Sequence, residues 1–236
     1  MEKEPLVLYE DEALVAVHKP SGMPVHRGGR ESGGCRALLQ VLRDSLGRYV
    51  YPVHRLDRPT SGILILALSA DMASHLAGQF RRHEVDKAYL ALVRGRTPSR
   101  GVISRFLKPE DAGPGAVARF SVTRYHTREC VEIPVPMGKT PSRCYSLVEL
   151  HPETGRSRQI RRHLNGLSHP IIGDTTYGDG RHNRFFREAF GCNRLMLAAI
   201  RISFLHPVTG HRLDLKSPLA RDFCEVLLKL GMDREV

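Results

Sequence analysis

The sequence predicts an α+β protein built on a mixed, mostly antiparallel sheet with flanking helices. Segments of strand length outnumber segments of helical period, and the two do not alternate in the regular rhythm that builds parallel sheets. The chain has 236 residues, 41% of them hydrophobic, enough to bury a core without disulfide or metal staples. A single domain over residues 1–236 is expected.

Leu6 to Tyr9 is a short apolar run, Glu10-Asp11-Glu12 a polar turn, and Ala13 to Val17 a second run; this is a hairpin pattern, broken at Lys19-Pro20-Ser21-Gly22. Residues 28–34 are glycine-rich and read as a loop, before a helix from about Cys35 to Leu46 with Leu38, Leu39, Leu42 and Leu46 on one face. Gly62 to Leu68 (GILILAL) is apolar without alternation, which suits a strand buried on both faces. Ser69 then caps a helix carrying Met72, Leu76 and Phe80, whose end, Arg81-Arg82-His83, complements the helix dipole. Strands are expected at 87–94, 102–107, 117–124, 130–135 and 144–150, with an exposed insertion at 108–116 and a Pro-bounded break from Pro136 to Pro141. Residues 157–166 make an amphipathic helix, Ile160, Leu164 and Leu167 on one face and Arg158, Arg161, Arg162 and Asn165 on the other. Strands at 194–205 and 211–215 follow. A last helix starts at Ser217-Pro218, spaces Phe223, Val226, Leu227 and Leu230 at helical intervals, and stops at Gly231.

Thirty-six Lys and Arg face 25 Asp and Glu, a net charge of +11. Arginine dominates the basic residues, and its planar fork suits phosphate oxygens and base stacking, so nucleic acid is the partner this balance favours. The five cysteines are widely spaced without a C-x-x-C pair, which argues against structural zinc and for reduced thiols in the cytoplasm. No H-E-x-x-H, Walker loop or G-x-G-x-x-G is present, so neither metal nor nucleotide cofactor is expected. The start, Met-Glu-Lys-Glu, lacks the basic and apolar regions of a signal peptide, and no apolar run reaches the roughly 20 residues that span a bilayer.

Three segments could carry chemistry. His54-Arg55-Leu56-Asp57-Arg58-Pro59-Thr60-Ser61-Gly62 sets one carboxylate among cations that favour its charged form, just before the buried strand. That suits Asp57 to nucleophilic attack, with Thr60-Ser61-Gly62 as a tight turn; the alternative is a surface ion-pair cluster. In residues 155–163 (GRSRQIRRH), Ser157 can cap a helix whose first turns crowd Arg156, Arg158, Arg161 and Arg162. Cations there oppose the helix dipole unless an anion is present, and a phosphate or Asp57 is the natural one. Tyr89 in Lys87-Ala88-Tyr89 is either a core tyrosine or an aromatic platform under a base.

At these three places the sequence resembles the RluA-type family of pseudouridine synthases. The signature H-R-L-D-x-x-T-S-G stands in full at 54–62, the family's G-R-x-H-Q-[I/L]-R-x-H appears as GRSRQIRRH at 155–163, and its K-x-Y as Lys87-Ala88-Tyr89. DEALVAVHKPSGMPVH and HPIIGDTTYGD fit as well, so the resemblance runs from about residue 6 to 216. Arg158 departs from it, standing where the family usually has His. By the resemblance, no small RNA-binding domain of the S4 kind is expected ahead of the catalytic region.

The resemblance implies a pseudouridine synthase fold with a central RNA-binding cleft and cofactor-free chemistry. The N1–C1′ bond of a uridine breaks, the uracil turns, and C5 joins C1′. Asp57 would be the nucleophile, Arg161 its partner, Tyr89 the ring on the flipped uracil, and Arg55 the filler of the gap left in the stack. His54, Arg58, Arg156, Arg158, Arg162 and Lys19 would contact RNA. Through VHRLDRPTSG, the doubled arginine of QIRRHL and HPIIGDTTYGDGRHNR the resemblance extends to enzymes acting on tRNA, in its acceptor and T-stem region. A cytoplasmic monomer is the default expectation. Ribosomal RNA as substrate and a non-catalytic RNA-binding factor are the competing readings. A glycosidic-bond hydrolase is disfavoured, since a second carboxylate near Asp57 is not evident in sequence.

Overall fold

The computed structural model describes residues 5–27, 36–110, 115–135 and 142–234. The glycine-rich loop at 28–34, Cys35, the whole 136–141 break and the centre of the 108–116 insertion lie outside them. The chain forms two compact units: the residues up to Lys87 with Ala199–Ala220, and Ala88–Ala198 with the residues from Arg221 onward.

The first unit opens with β1 (Leu6–Glu10) and β2 (Leu14–Lys19), antiparallel as the hairpin pattern predicts. Helix α1 (Leu38–Leu46) buries Leu38, Leu39 and Leu42 and ends at Gly47 with φ 63°, the left-handed conformation glycine adopts without strain. A two-residue strand, β3 (Tyr51–Pro52), leads to β4 (Ser61–Ala67), every residue of which is buried. The unbroken apolar run of β4 is explained by its place: β2 flanks it on one side and β9 on the other. Helix α2 (Ala70–Arg81) starts where expected, the Ser69 hydroxyl accepting the Met72 N–H at 3.2 Å. Gln79 of this helix is buried and grips the Leu205 backbone at both its N–H (2.9 Å) and its C=O (2.8 Å).

In the second unit β5 (Asp86–Arg94), β6 (Arg100–Leu107), β7 (Arg119–Ile133) and β8 (Arg143–Pro152) form an antiparallel sheet in the order β5-β8-β7-β6. The two strands expected at 117–124 and 130–135 are one. A register shift between Thr127 and Glu129 absorbs the intervening residue, so β7 keeps its pairing with β8 through the charged stretch that looked like a break. Helix α3 (Gln159–Gly166) follows, then α4 (Gly180–Phe190), which the sequence reading missed. Asp179 caps α4 by accepting the Arg181 N–H, and Phe186 packs edge-on against buried Tyr145 at 4.7 Å between ring centroids.

The remaining elements are β9 (Leu197–Leu205), almost wholly in the first unit, its antiparallel neighbour β10 (Arg212–Lys216), and α5 (Arg221–Lys229) in the second. Ser217 does not begin the last helix. Its hydroxyl is buried 2.7 Å from His18 Nδ1, and the helix starts four residues later, still presenting Phe223, Val226 and Leu227 to the core. Replacing Ser69 by Ala should lower stability by about 1 kcal/mol through loss of the α2 cap, read as a shift in urea midpoint with unchanged slope.

Candidate active site

In the first unit the signature segment is a loop nailed down from below. Leu56 is buried, Asp57 and Arg58 are half-buried, Arg55 is exposed, and Thr60 and Ser61 are buried again. The Thr60 N–H donates to the Asp57 carbonyl at 3.0 Å, so the tight turn spans 57–60, earlier than the Thr60-Ser61-Gly62 of the sequence reading. Ser61 and Gly62 already belong to β4, where a Cβ on Gly62 (φ 109°) would run into the Ala199 backbone of β9. Glycine is needed there so that two strands can close just behind Asp57.

Lys19 is corrected by the structure. Expected to touch phosphate, it is fully buried, and its Nζ donates to the carbonyls of Pro20 (2.9 Å), Met23 (3.0 Å) and Arg58 (3.0 Å). The same two loops are stitched by Gly22 N–H to Arg58 C=O (2.9 Å), Arg58 Nε to Gly22 C=O (2.9 Å) and Ser21 Oγ to Pro59 C=O (2.7 Å). Arg58 therefore spends part of its guanidinium on the loop itself.

His54 is corrected for a similar reason. Its Nε2 accepts the Ile65 N–H at 3.0 Å, and the ring stacks on Phe80 with centroids 4.7 Å apart. Strand β3 pairs with Ala67 and Leu66 and then leaves β4, and the imidazole takes over the next N–H. Burial, helped by the Lys87 cation, pushes the ring down to about 3, so it is a neutral structural acceptor and not a phosphate contact.

The second unit holds the other two segments. Tyr89 lies on β5 opposite Leu150, half-buried. Helix α3 starts at Gln159, behind Arg158 in the left-handed conformation (φ 51°), so Ser157 is not its cap. Gln159 does that work from inside: its Oε1 accepts the Arg156 N–H (3.0 Å) and the Thr154 hydroxyl (2.7 Å), while its Nε2 donates to Val122 C=O and Thr123 Oγ1 on β7. His163 is fully buried between Ser121 Oγ (2.9 Å) and Thr123 Oγ1 (3.0 Å), and burial, with Arg105 and Arg162 nearby, depresses it to about 4.

Arg161 is not on a solvated face. It is 4% exposed and forms a bidentate pair with Asp174, Nε to Oδ2 at 2.7 Å and Nη2 to Oδ1 at 2.8 Å. Asp174, 2% exposed, also accepts the N–H groups of Thr176 and Tyr177, and the guanidinium lies 5.2 Å from the Tyr177 ring centre. Arg158 Nη1 meets Glu110 at 2.7 Å, Arg162 donates to the Lys108 carbonyl at 2.8 Å, and Arg156 Nε donates to the Phe120 carbonyl at 3.3 Å. The anions that offset the cations of α3 thus include Asp174 and Glu110, both missed from sequence. Asp174 lies in the GDTTYGD stretch, and only its position after the helix could have flagged it.

Among the described residues, one group has metal-ligand composition: His126, Glu149 and His151 on β7 and β8. The Arg128 guanidinium already sits on the Glu149 carboxylate, which marks an ion-pair cluster on an outer sheet face. No helix there is long and apolar enough to cross a membrane.

The model for RNA pseudouridylate synthases matches residues 13–166, and the chain belongs to that family, enzymes that convert uridine to pseudouridine in RNA. Within it the chain is 44% identical to tRNA pseudouridine synthase C of Vibrio cholerae, over 95% of each chain. It is 41% identical to the enzyme of the same name from Vibrio parahaemolyticus, covering 98% of this chain and 96% of that one. Among solved structures it resembles human RNA pseudouridylate synthase domain containing 4, with a TM-score of 0.72, 28% identity and coverage of 97% and 94%.

Two outcomes follow. Asp174→Asn should destabilise the protein by about 3 kcal/mol or more, because it breaks a buried charge pair; a far smaller shift in urea midpoint would show that Arg161 is anchored otherwise. His54 and His163 stay neutral in the fold, whereas an unfolded histidine takes up a proton near 6.5. Stability is therefore full above that pH and lost as pH falls from about 6.5 toward 4. His163→Gln should flatten that slope in urea titrations across the window.

Proposed function

We propose that the protein isomerises a uridine of tRNA, in the acceptor and T-stem region, with Asp57 as nucleophile. The observation that carries the catalytic part is the loop 54–61. It is fastened by Lys19, Ser21, Gly22 and His54, yet it leaves Asp57 half-buried at the start of a turn. A nucleophile needs such fixed placement, and orientation of reacting groups is a large share of enzymatic rate. The tRNA part is supported by relatives named tRNA pseudouridine synthase C that match almost end to end, and by the net charge of +11.

The other roles follow the family resemblance. Arg161 steadies the nucleophile, Tyr89 stacks on the flipped uracil, and Arg55, exposed beside Asp57, fills the space the base leaves. Arg58, Arg156, Arg158 and Arg162 meet the phosphate backbone. In this reading the whole chain acts as one catalytic domain, a cytoplasmic monomer, and the isomerisation draws on no cofactor because the atoms of substrate and product are the same.

The test incubates the protein and its Asp57→Asn variant with unmodified total tRNA and with ribosomal RNA, mapping pseudouridine at single-nucleotide resolution. A new site in the tRNA acceptor or T-stem, absent with the variant, is expected, with RNA affinity largely kept. Full turnover by Asp57→Asn would overturn the nucleophile, and a site found only in ribosomal RNA would overturn the substrate.

A further inference from the structure

Strands β6 and β7 turn one face to the core and one to solvent. Ile103, Leu107, Ser121, Thr123 and Tyr125 are buried on the first. The second carries Val102, Phe106 and Phe120, exposed at 63%, 70% and 49%. Phe106 and Phe120 are direct cross-strand partners, their ring centroids 5.3 Å apart and tilted by 54°. Only 6% of this chain is aromatic, so two phenylalanines left in water side by side call for an occupant.

Charge says which kind. The even-numbered Arg100 and Arg124 share the face of Phe106 and Phe120, with Lys108 just past the end of β6, and Arg124 pairs with Glu153. Arg100 and Lys108 are exposed and carry no ion pair among the described residues. A second copy seated on this patch about a two-fold axis would press one basic rim against the other. Exposed aromatic rings on an antiparallel sheet, flanked by cations, match the chemistry that holds unstacked bases and their phosphates. The patch is also joined to the 155–163 segment, since Arg156 Nε donates to the Phe120 carbonyl.

We propose that the outer face of β6 and β7 is a further RNA-contact surface, where Phe106 and Phe120 stack on unpaired bases of the substrate and Arg100 and Lys108 hold the adjoining phosphates. The proposal rests on RNA being the substrate, but not on Asp57 or on the modified position. Its function is affinity: it adds binding outside the chemical step, so it sets KM and leaves kcat alone.

The experiment uses the full chain and two probes, an unmodified tRNA transcript and a short oligouridine, read by fluorescence anisotropy over a range of salt. Phe106→Leu/Phe120→Leu keeps apolar side chains of strand-compatible size but removes both rings. It should melt like wild type, weaken binding by roughly ten-fold, raise KM at unchanged kcat, and leave the salt slope as it was. Arg100→Gln/Lys108→Gln should instead lower the salt slope by about one counterion per lost cation. Wild-type affinity for both probes in a normally folded leucine variant would overturn the proposal. So would a concentration-dependent dimer that the leucine variant dissolves without change in RNA affinity, since the occupant would then be a second copy. A wild-type protein that binds RNA through these rings but makes no pseudouridine would refute the catalytic reading and leave this one standing.

Discussion

The buried ammonium of Lys19 is the interaction on which the nucleophile loop depends. A charge carried out of water is costly unless it is met by hydrogen bonds, and here backbone carbonyls from two separate loops meet it. The loops are of a kind that cannot satisfy one another as a sheet: Pro20, Pro24 and Pro59 offer no N–H. An ammonium with several donors can gather carbonyls that no ladder would align. The result is that the backbone just after Asp57 is held to Pro20-Ser21-Gly22 by side-chain and main-chain bonds together, and the carboxylate sits on a rigid mount without being buried itself.

The same logic recurs around the loop. His54 supplies the acceptor that the departing strand withholds from Ile65, and Gly62 removes the side chain that would separate β4 from β9. In the second unit, Gln159 and His163 link α3 to β7 through side-chain bonds to Thr123, and Asp174 takes the guanidinium of Arg161. A helix that begins among arginines is electrostatically unfavourable in isolation. It is tolerated because Asp174 and Glu110 come from elsewhere in the chain to meet those charges. Polar residues that a linear reading takes for RNA contacts are here divided between scaffold and surface: Lys19 and His54 belong to the scaffold, while Arg55 stays exposed.

Much of the fold and the motifs was legible in the residues themselves. The β1–β2 hairpin, the fully buried β4, the Ser69 cap and the apolar face of α5 follow from local patterns, because strand alternation, continuous burial and capping are short-range effects. The family was legible from a nine-residue pattern with seven positions specified and two variable, His54 to Gly62. Other features were decided by partners far along the chain. The continuity of β7 depends on β8 pairing through a bulge, α4 depends on Tyr145 receiving Phe186, and Ser217 faces His18 instead of capping a helix. Sequence by itself thus determined which residues could do chemistry and which segments could be strands or helices. Tertiary structure alone decided which cations are spent inside the protein and which are left for RNA, because that depends on carboxylates and carbonyls brought close by folding, such as Asp174 to Arg161 and Arg58 to Lys19, which no local pattern encodes.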